Sequence, residues 1–219
     1  MDEIILVDKP AGITSFDVIR QLRRRLGIKK IGHAGTLDPL ATGLMILGVG
    51  PGTKKLTDLI KLDKEYIAEI RVGEKRSTGD LEGEVIEEKN VIGFSEAAAC
   101  QVLEEMKGIL TLPVNAYSAI KKDGVPMYKR ARQAEKSGGV VTDVPVRDMN
   151  VQEAEFLGCI VENNRAVVTV RFAVGSGTYI RSLAEEFGRR LGYPATLQLL
   201  RRTKVGEFDI KDAKQIEEF

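Results

Sequence analysis

Cysteine is scarce in this chain. Cys100 and Cys159 stand far apart, with no second ligand-forming residue near either. That spacing excludes a disulfide framework and a zinc site, and a reducing cytoplasm is the simple expectation. Long apolar runs are missing too. The longest candidate, Leu44 to Val49, has the length of a buried strand and falls well short of the roughly 18 residues a membrane span needs. The chain opens Met-Asp-Glu, without the basic and then apolar stretch of a signal peptide, so no targeting segment and no membrane partner are expected. Histidine occurs once, at His33, which makes a metal site a poor reading. No internal repeat or low-complexity linker divides the chain.

What is present is an ordinary apolar share, 43% of 219 residues, enough for a domain with a substantial core. Net charge is +1, yet the charge is segregated. Eight acids and one base lie between Asp80 and Glu105, whereas six bases and two acids lie between Lys121 and Lys136. Arg23 to Arg25, Lys29-Lys30, Arg189-Arg190 and Arg201-Arg202 are further basic clusters. A near-neutral chain sorted in this way can present a basic face to phosphates, although any single cluster is more often a solvated helix face.

Local patterns predict the elements. Ile4 to Val7 reads as a short strand. Ser15 can cap a helix to Leu26, with Val18, Ile19, Leu22 and Leu26 on one face and Gly27 as the stop. Leu44 to Val49 is apolar enough for a strand buried on both faces. Thr53 can cap a helix to about Leu62. Tyr66, Ala68, Ile70 and Val72 alternate with Ile67, Glu69 and Arg71, as in a half-buried strand. Ser95 can cap an alanine-rich helix ending before Gly108. Met127 to Lys136 reads as a basic, weakly amphipathic helix. Val151 to Val161 and Ala166 to Val174 read as strands joined by an Asn163-Asn164 turn. Thr178 starts a last helix, closed by Gly192. Interspersed strands and helices without regular β–α–β alternation predict an α+β fold.

Three segments carry chemistry. The first is Gly32-His-Ala-Gly-Thr-Leu-Asp-Pro-Leu-Ala-Thr-Gly43, with three glycines and a proline in twelve residues. Such a loop leaves backbone free to approach a ligand, and it carries one carboxylate, Asp38. An arbitrary Asp-Pro in a glycine-rich loop is more often a plain turn. The second is Gly175-Ser-Gly-Thr-Tyr-Ile-Arg181, a glycine turn opening a helix. A cation in a first turn opposes the helix dipole, so Arg181 suggests a specific anionic partner. The third runs from Pro113 to Arg132 and mixes Tyr117 and Tyr128 with bases, which suits base stacking and phosphate contact together.

Read in order, these residues resemble the TruB family of tRNA pseudouridine synthases. Val7-Asp-Lys-Pro-Ala-Gly-Ile-Thr-Ser15 resembles its opening motif, and Gly32 to Gly43 its catalytic loop. Lys64-Glu-Tyr66 with Thr78-Gly-Asp80 resembles its next strand, and Tyr117-Ser-Ala-Ile-Lys121 its RNA-binding insertion. Gly177-Thr-Tyr-Ile-Arg-Ser-Leu183 and Leu200-Arg-Arg-Thr203 complete the series. The resemblance implies a pseudouridine-synthase fold: a mixed, mostly antiparallel sheet with flanking helices and an RNA-binding insertion. It implies one catalytic domain over 1–219 with the insertion at about 122–145. The C-terminal RNA-binding domain usual in the family is expected to be absent, since the chain stops at Phe219. Arg76-Ser77 departs from the family, which more often has Thr-x-Thr there.

The implied reaction converts uridine at position 55 in the T loop of tRNA to pseudouridine. It needs no cofactor and no metal, and the enzyme is expected to be a cytoplasmic monomer whose partner is the tRNA T arm with its flipped uridine. The implied catalytic residues are Asp38, the aromatic Tyr66 stacked on the target base, and Arg181 paired with the carboxylate. Implied substrate contacts are His33, Gly32, Thr36, Tyr179, Leu200, Lys9, Lys64, Lys121, Arg132 and Arg202. Elementary chemistry agrees, because exchanging an N1 for a C5 link to C1′ moves no net electrons and needs no redox group. The target must leave the base stack first, at a cost of a few kcal/mol. The rival readings are a tRNA-binding or tRNA-folding protein using the same cleft, and a guide-RNA-dependent relative. A zinc deaminase is excluded, since its Pro-Cys-x-x-Cys is missing. The segment from about Lys122 to Pro145 shows almost no apolar face, so it is expected to order only on RNA.

Overall fold

The structure is a computed structural model that describes residues 3–118, 120–137, 139, 141 and 143–219. Strand β1 (Ile4–Lys9) leads into helix α1 (Ser15–Leu26). Thr14 caps that helix rather than Ser15: Thr14 and Asp17 exchange side-chain-to-backbone bonds in a capping box. The Ser15 hydroxyl is committed elsewhere, to the backbone of Leu37. Gly27 ends the helix in a left-handed conformation, as predicted.

Strands β2 (Ile31–His33) and β3 (Thr42–Val49) form a hairpin around the Asp38 loop. The predicted helix from Thr53 is instead a 3-10 stretch (Gly50–Lys55) and a single turn, α2 (Leu56–Leu59), and the Thr53 hydroxyl donates back to Gly50 O instead of capping. Strand β4 (Lys64–Val72) alternates buried and half-buried positions without a break. A small hairpin, β5 (Glu74–Arg76) and β6 (Val85–Glu88), precedes α3 (Glu96–Glu105), which Ser95 caps through Ala98 N. Strand β7 (Gly108–Pro113) follows, then the short β8 (Lys121–Lys122) and β9 (Val125–Pro126) and helix α4 (Met127–Lys136). Strands β10 (Val146–Glu162) and β11 (Arg165–Val174) turn at Asn163 and Asn164, both at positive φ (51° and 57°) as a tight hairpin requires. Helix α5 (Ile180–Leu191) begins two residues later than expected, with Tyr179 at its cap. Strands β12 (Ala195–Val205) and β13 (Phe208–Asp209) close the order.

The main sheet runs β1-β3-β12-β4-β11-β10-β7, with β2 on β3 and β13 on β12. Every pair in it is antiparallel except β3 with β12, so the fold is α+β with a mixed, mostly antiparallel sheet. One core takes the inner faces of α1, α3 and α5 and alternate residues of the strands. A second core of Ala34, Leu44, Ile46, Leu56 and Val205 lies on the other side of β3. That explains the unbroken apolar run: Met45, Leu47 and Val49 face one core, Leu44 and Ile46 the other. Helix α4 is not without an apolar face, since Met127 (0% exposed) and Ala131 (4%) are buried. Of the segment from 122 to 145, Gly138, Val140 and Thr142 lie outside the described residues.

Candidate active site

The loop 34–41 is pinned from below. Lys9 Nζ donates to the carbonyls of Pro39 (3.2 Å), Ala41 (2.6 Å) and Pro10 (2.9 Å). Ser15 Oγ donates to Leu37 O at 2.9 Å and accepts from Leu37 N at 2.8 Å. Arg202, itself 1% exposed, donates to Gly35 O (3.2 Å) and Leu44 O (2.7 Å). Gly43 is where β3 touches β12. It has φ +105°, and an added Cβ would meet Arg202 N at 2.7 Å. Only glycine permits that approach.

So held, Asp38 projects into the open with its side chain 41% exposed, while its partner Arg181 is only 7% exposed. Arg181 Nη2 lies 3.0 Å from Asp38 Oδ2. The same guanidinium donates to Thr78 O (2.9 Å) and Tyr117 O (3.2 Å) and lies 3.5 Å from Asp80 Oδ2. The anion that a first-turn arginine demanded is therefore Asp38, backed by a buried second carboxylate. Asp80 is in turn fixed by Thr78 Oγ1 at 2.5 Å and by Glu82 N at 3.1 Å.

Two cavities meet at this pair. One, of about 310 Å³, is lined by Asp38, Arg181, Tyr66, Tyr179 and Leu200, with Lys64 and Arg202 also at its wall. The other, of about 750 Å³, opens from Asp38 and Thr36 toward His33, Tyr128 and Arg132. Tyr66 comes from β4 and Leu200 from β12, adjacent strands whose side chains both belong to the inner core. Lys9 lies under the loop and lines neither cavity. Gly32 sits in the β2–β3 ladder against Leu56, and Lys121 is exposed on β8; neither lines these cavities.

The electrostatics are unusual. Lys9, Lys64 and Arg202 are buried cations that bond to carbonyl oxygens, and in the case of Lys64 also to the Ser176 hydroxyl. Burial pushes both lysine ammonium groups down to about 8. Burial and the neighbouring Arg202 lower His33, burial raises the Tyr179 phenol, and burial beside Asp80 and Asp38 raises Glu82. The site thus pairs one accessible, arginine-clamped carboxylate with a positive floor and an aromatic wall. Such an arrangement can receive a flat polar ring and act on its attached carbon as nucleophile or base. Among the described residues, no group of three or more His, Cys, Asp or Glu side chains could hold a metal, and no helix is long and apolar enough to cross a membrane.

Sequence reasoning passed over the Asp80 contact and the anchoring role of Ser15. Both depend on partners distant in the chain.

The family model described as TruB family pseudouridylate synthase (N terminal domain) matches residues 23–180. The tRNA pseudouridine synthase B of Leifsonia xyli subsp. xyli is 40% identical over 216 residues, covering 97% of this chain and 70% of that protein. The enzyme of the same name from Desulfotalea psychrophila is 42% identical over 213 residues, covering 96% of this chain and 84% of that protein. Among solved structures, a chain of a Cbf5-Nop10-Gar1 complex superposes with TM-score 0.72 at 27% identity, and a chain of an H/ACA RNP bound to a substrate RNA containing 2′-deoxyuridine with TM-score 0.69 at 25%. Each match covers 98% of this chain, which spans about half the length of those two chains, 52% and 51%.

Proposed function

This chain belongs to the TruB family of pseudouridylate synthases, which isomerise uridine to pseudouridine in tRNA, and we propose that it acts on position 55 of the T loop with Asp38 as its reacting carboxylate. One observation carries the assignment of Asp38: it is the accessible member of a 3.0 Å pair whose other member, Arg181, is buried. An ion pair in that setting holds the carboxylate aimed, ready for a ribose carbon. The flipped uridine enters the smaller cavity, its base between Tyr66 and Leu200, with the ribose over Asp38.

The reaction breaks N1–C1′, turns the freed uracil and forms C5–C1′; a proton leaves C5 and one is taken up at N1. Asp38 can serve by attack at C1′ or by removal of the C2′ proton. Tyr66, which lines the same cavity, is our candidate for the late step that moves the C5 proton. His33 and Thr36 guide the displaced nucleotides in the larger cavity, Arg132 on α4 engages the backbone of the T arm, and Lys121 lies on the same approach. The acting unit in this reading is a monomer.

The test is to incubate unmodified tRNA transcript with the purified protein alone and map pseudouridine along it. Pseudouridine should appear in the T loop with wild type and be absent with Asp38→Asn, while RNA affinity stays within a few-fold. Isomerisation by pure Asp38→Asn would remove Asp38 from the chemistry, and modification elsewhere only would overturn the T-loop assignment.

A further inference from the structure

Phe16 belongs to neither core. It stands in the first turn of α1 at 58% exposure and is the one phenylalanine among the exposed large apolar side chains of the described residues. Fold stability gives no reason for a large ring in water there. Its surroundings give another reason, because the ring lines the same 750 Å³ cavity as Asp38, Thr36 and His33.

The ring is also held. Arg23, two helical turns on, places its guanidinium 5.7 Å from the ring centroid and is itself fixed by donating to Ile31 O at 3.1 Å. A cation against a ring restrains and polarises it. Within the same cavity, α4 repeats the device, with Arg132 at 5.8 Å from the Tyr128 ring. Two arginine-backed rings from distant parts of the chain therefore face one cleft that is continuous with the Asp38 pocket.

We propose that Phe16, backed by Arg23, is a stacking platform for an unpaired RNA base adjacent to the one that enters the Asp38 pocket. The physical need is clear: extracting one base from a stack leaves its neighbours without a partner face, and a fixed aromatic restores it. The inference rests on the isomerase reading of the cleft and adds a base-binding residue to it. Stacking accepts any base, so Phe16 contributes affinity rather than sequence choice.

The experiment is a binding cycle. Affinities of wild type, Phe16→Ala, Phe16→Leu and Phe16→Trp are measured for a T-arm hairpin RNA and for versions with one abasic loop position each. Phe16→Ala should bind the intact hairpin about tenfold more weakly, Phe16→Trp should restore binding, and Phe16→Leu should fall between them. The alanine defect should vanish on one abasic RNA, where nothing remains to stack, and the salt slope should not change. Equal binding by wild type and Phe16→Ala, or an undiminished defect on every abasic RNA, overturns the proposal. If wild type forms pseudouridine and Phe16 has no effect, this inference alone fails. If the cycle closes on one base but no pseudouridine forms, the isomerase reading alone fails.

Discussion

Arg181 shows how one side chain is tied to several distant groups at once. A cation in the first turn of α5 loses against the helix dipole. It regains that loss from Asp38 and Asp80 and from two backbone carbonyls. At 7% side-chain exposure it is too enclosed to serve as a phosphate contact. Arg181→Met should therefore depress turnover far more than RNA affinity and leave the salt slope of binding unchanged. It should also lower the unfolding midpoint, because Asp80 would remain buried without its cation, a change that typically costs about 3–5 kcal/mol. A slope reduced by about one unit would make Arg181 a phosphate contact after all. Lys9 yields a pH prediction. Its ammonium group supplies three N–H donors to three carbonyls, and burial lowers it from 10.5 to about 8. Between those values the unfolded chain binds the extra proton, so this group's contribution to stability increases with pH. The neutral amine, however, has two N–H groups for three carbonyls, so the loop's anchor weakens. Turnover should fall as pH passes about 8 without a matching loss of stability from Lys9. Parallel rate and urea-midpoint profiles check this, and a rate that stays flat to pH 9 would show that the loop does not depend on the third bond.

Among the elements, the β3–β12 contact is where backbone geometry decides most. Gly43 needs positive φ and leaves no room beside Arg202. Gly192, the left-handed end of α5, needs positive φ but has open space around it. Gly43→Ala should thus destabilise by more than about 2 kcal/mol, and Gly192→Ala by about 1 kcal/mol. Urea midpoints compare them, and equal losses would show that β12 gives way easily. Several elements follow directly from residues a few positions apart. The β4 alternation, the Ser95 cap, the Asn163-Asn164 turn and the doubly buried β3 all appear where their patterns predict. The Thr53 helix does not, because nothing in its own residues reveals that Gly52 must pack against the Glu3 backbone. Strands β7 and β12 carried no clear pattern. β12 is central, and its Leu-Leu-Arg-Arg run hides its alternation because Arg202 is buried while Leu199 is 40% exposed.

At the level of the whole molecule, the segment that carries α4 is joined to the body lightly. Only Met127 and Ala131 of the ten α4 residues are buried, and two bonds, Met127 N to Ile120 O and Tyr128 N to Ser118 O, tie its first turn down. Of its bases, Lys122 and Arg130 pair with Asp143 and Asp123. We expect the α4 amides to exchange much faster than those of β4 and β11 in the free protein and to slow when tRNA binds. Strong and equal protection in both states would identify α4 as a permanent part of the fold, not a segment that orders on RNA. The sequence by itself determined the chemistry on offer, namely a lone carboxylate in a glycine loop, an arginine set against a dipole, and tyrosines among bases. It also determined the local elements, because caps, turns and alternation are settled by neighbours in the chain. The family resemblance implied that Asp38 and Arg181 pair; only the tertiary structure decided that Asp80 braces the arginine, that β12 slots between β3 and β4, and that Phe16 faces the cleft. Those outcomes depend on which apolar faces are buried together, and burial joins residues without regard to their separation along the chain.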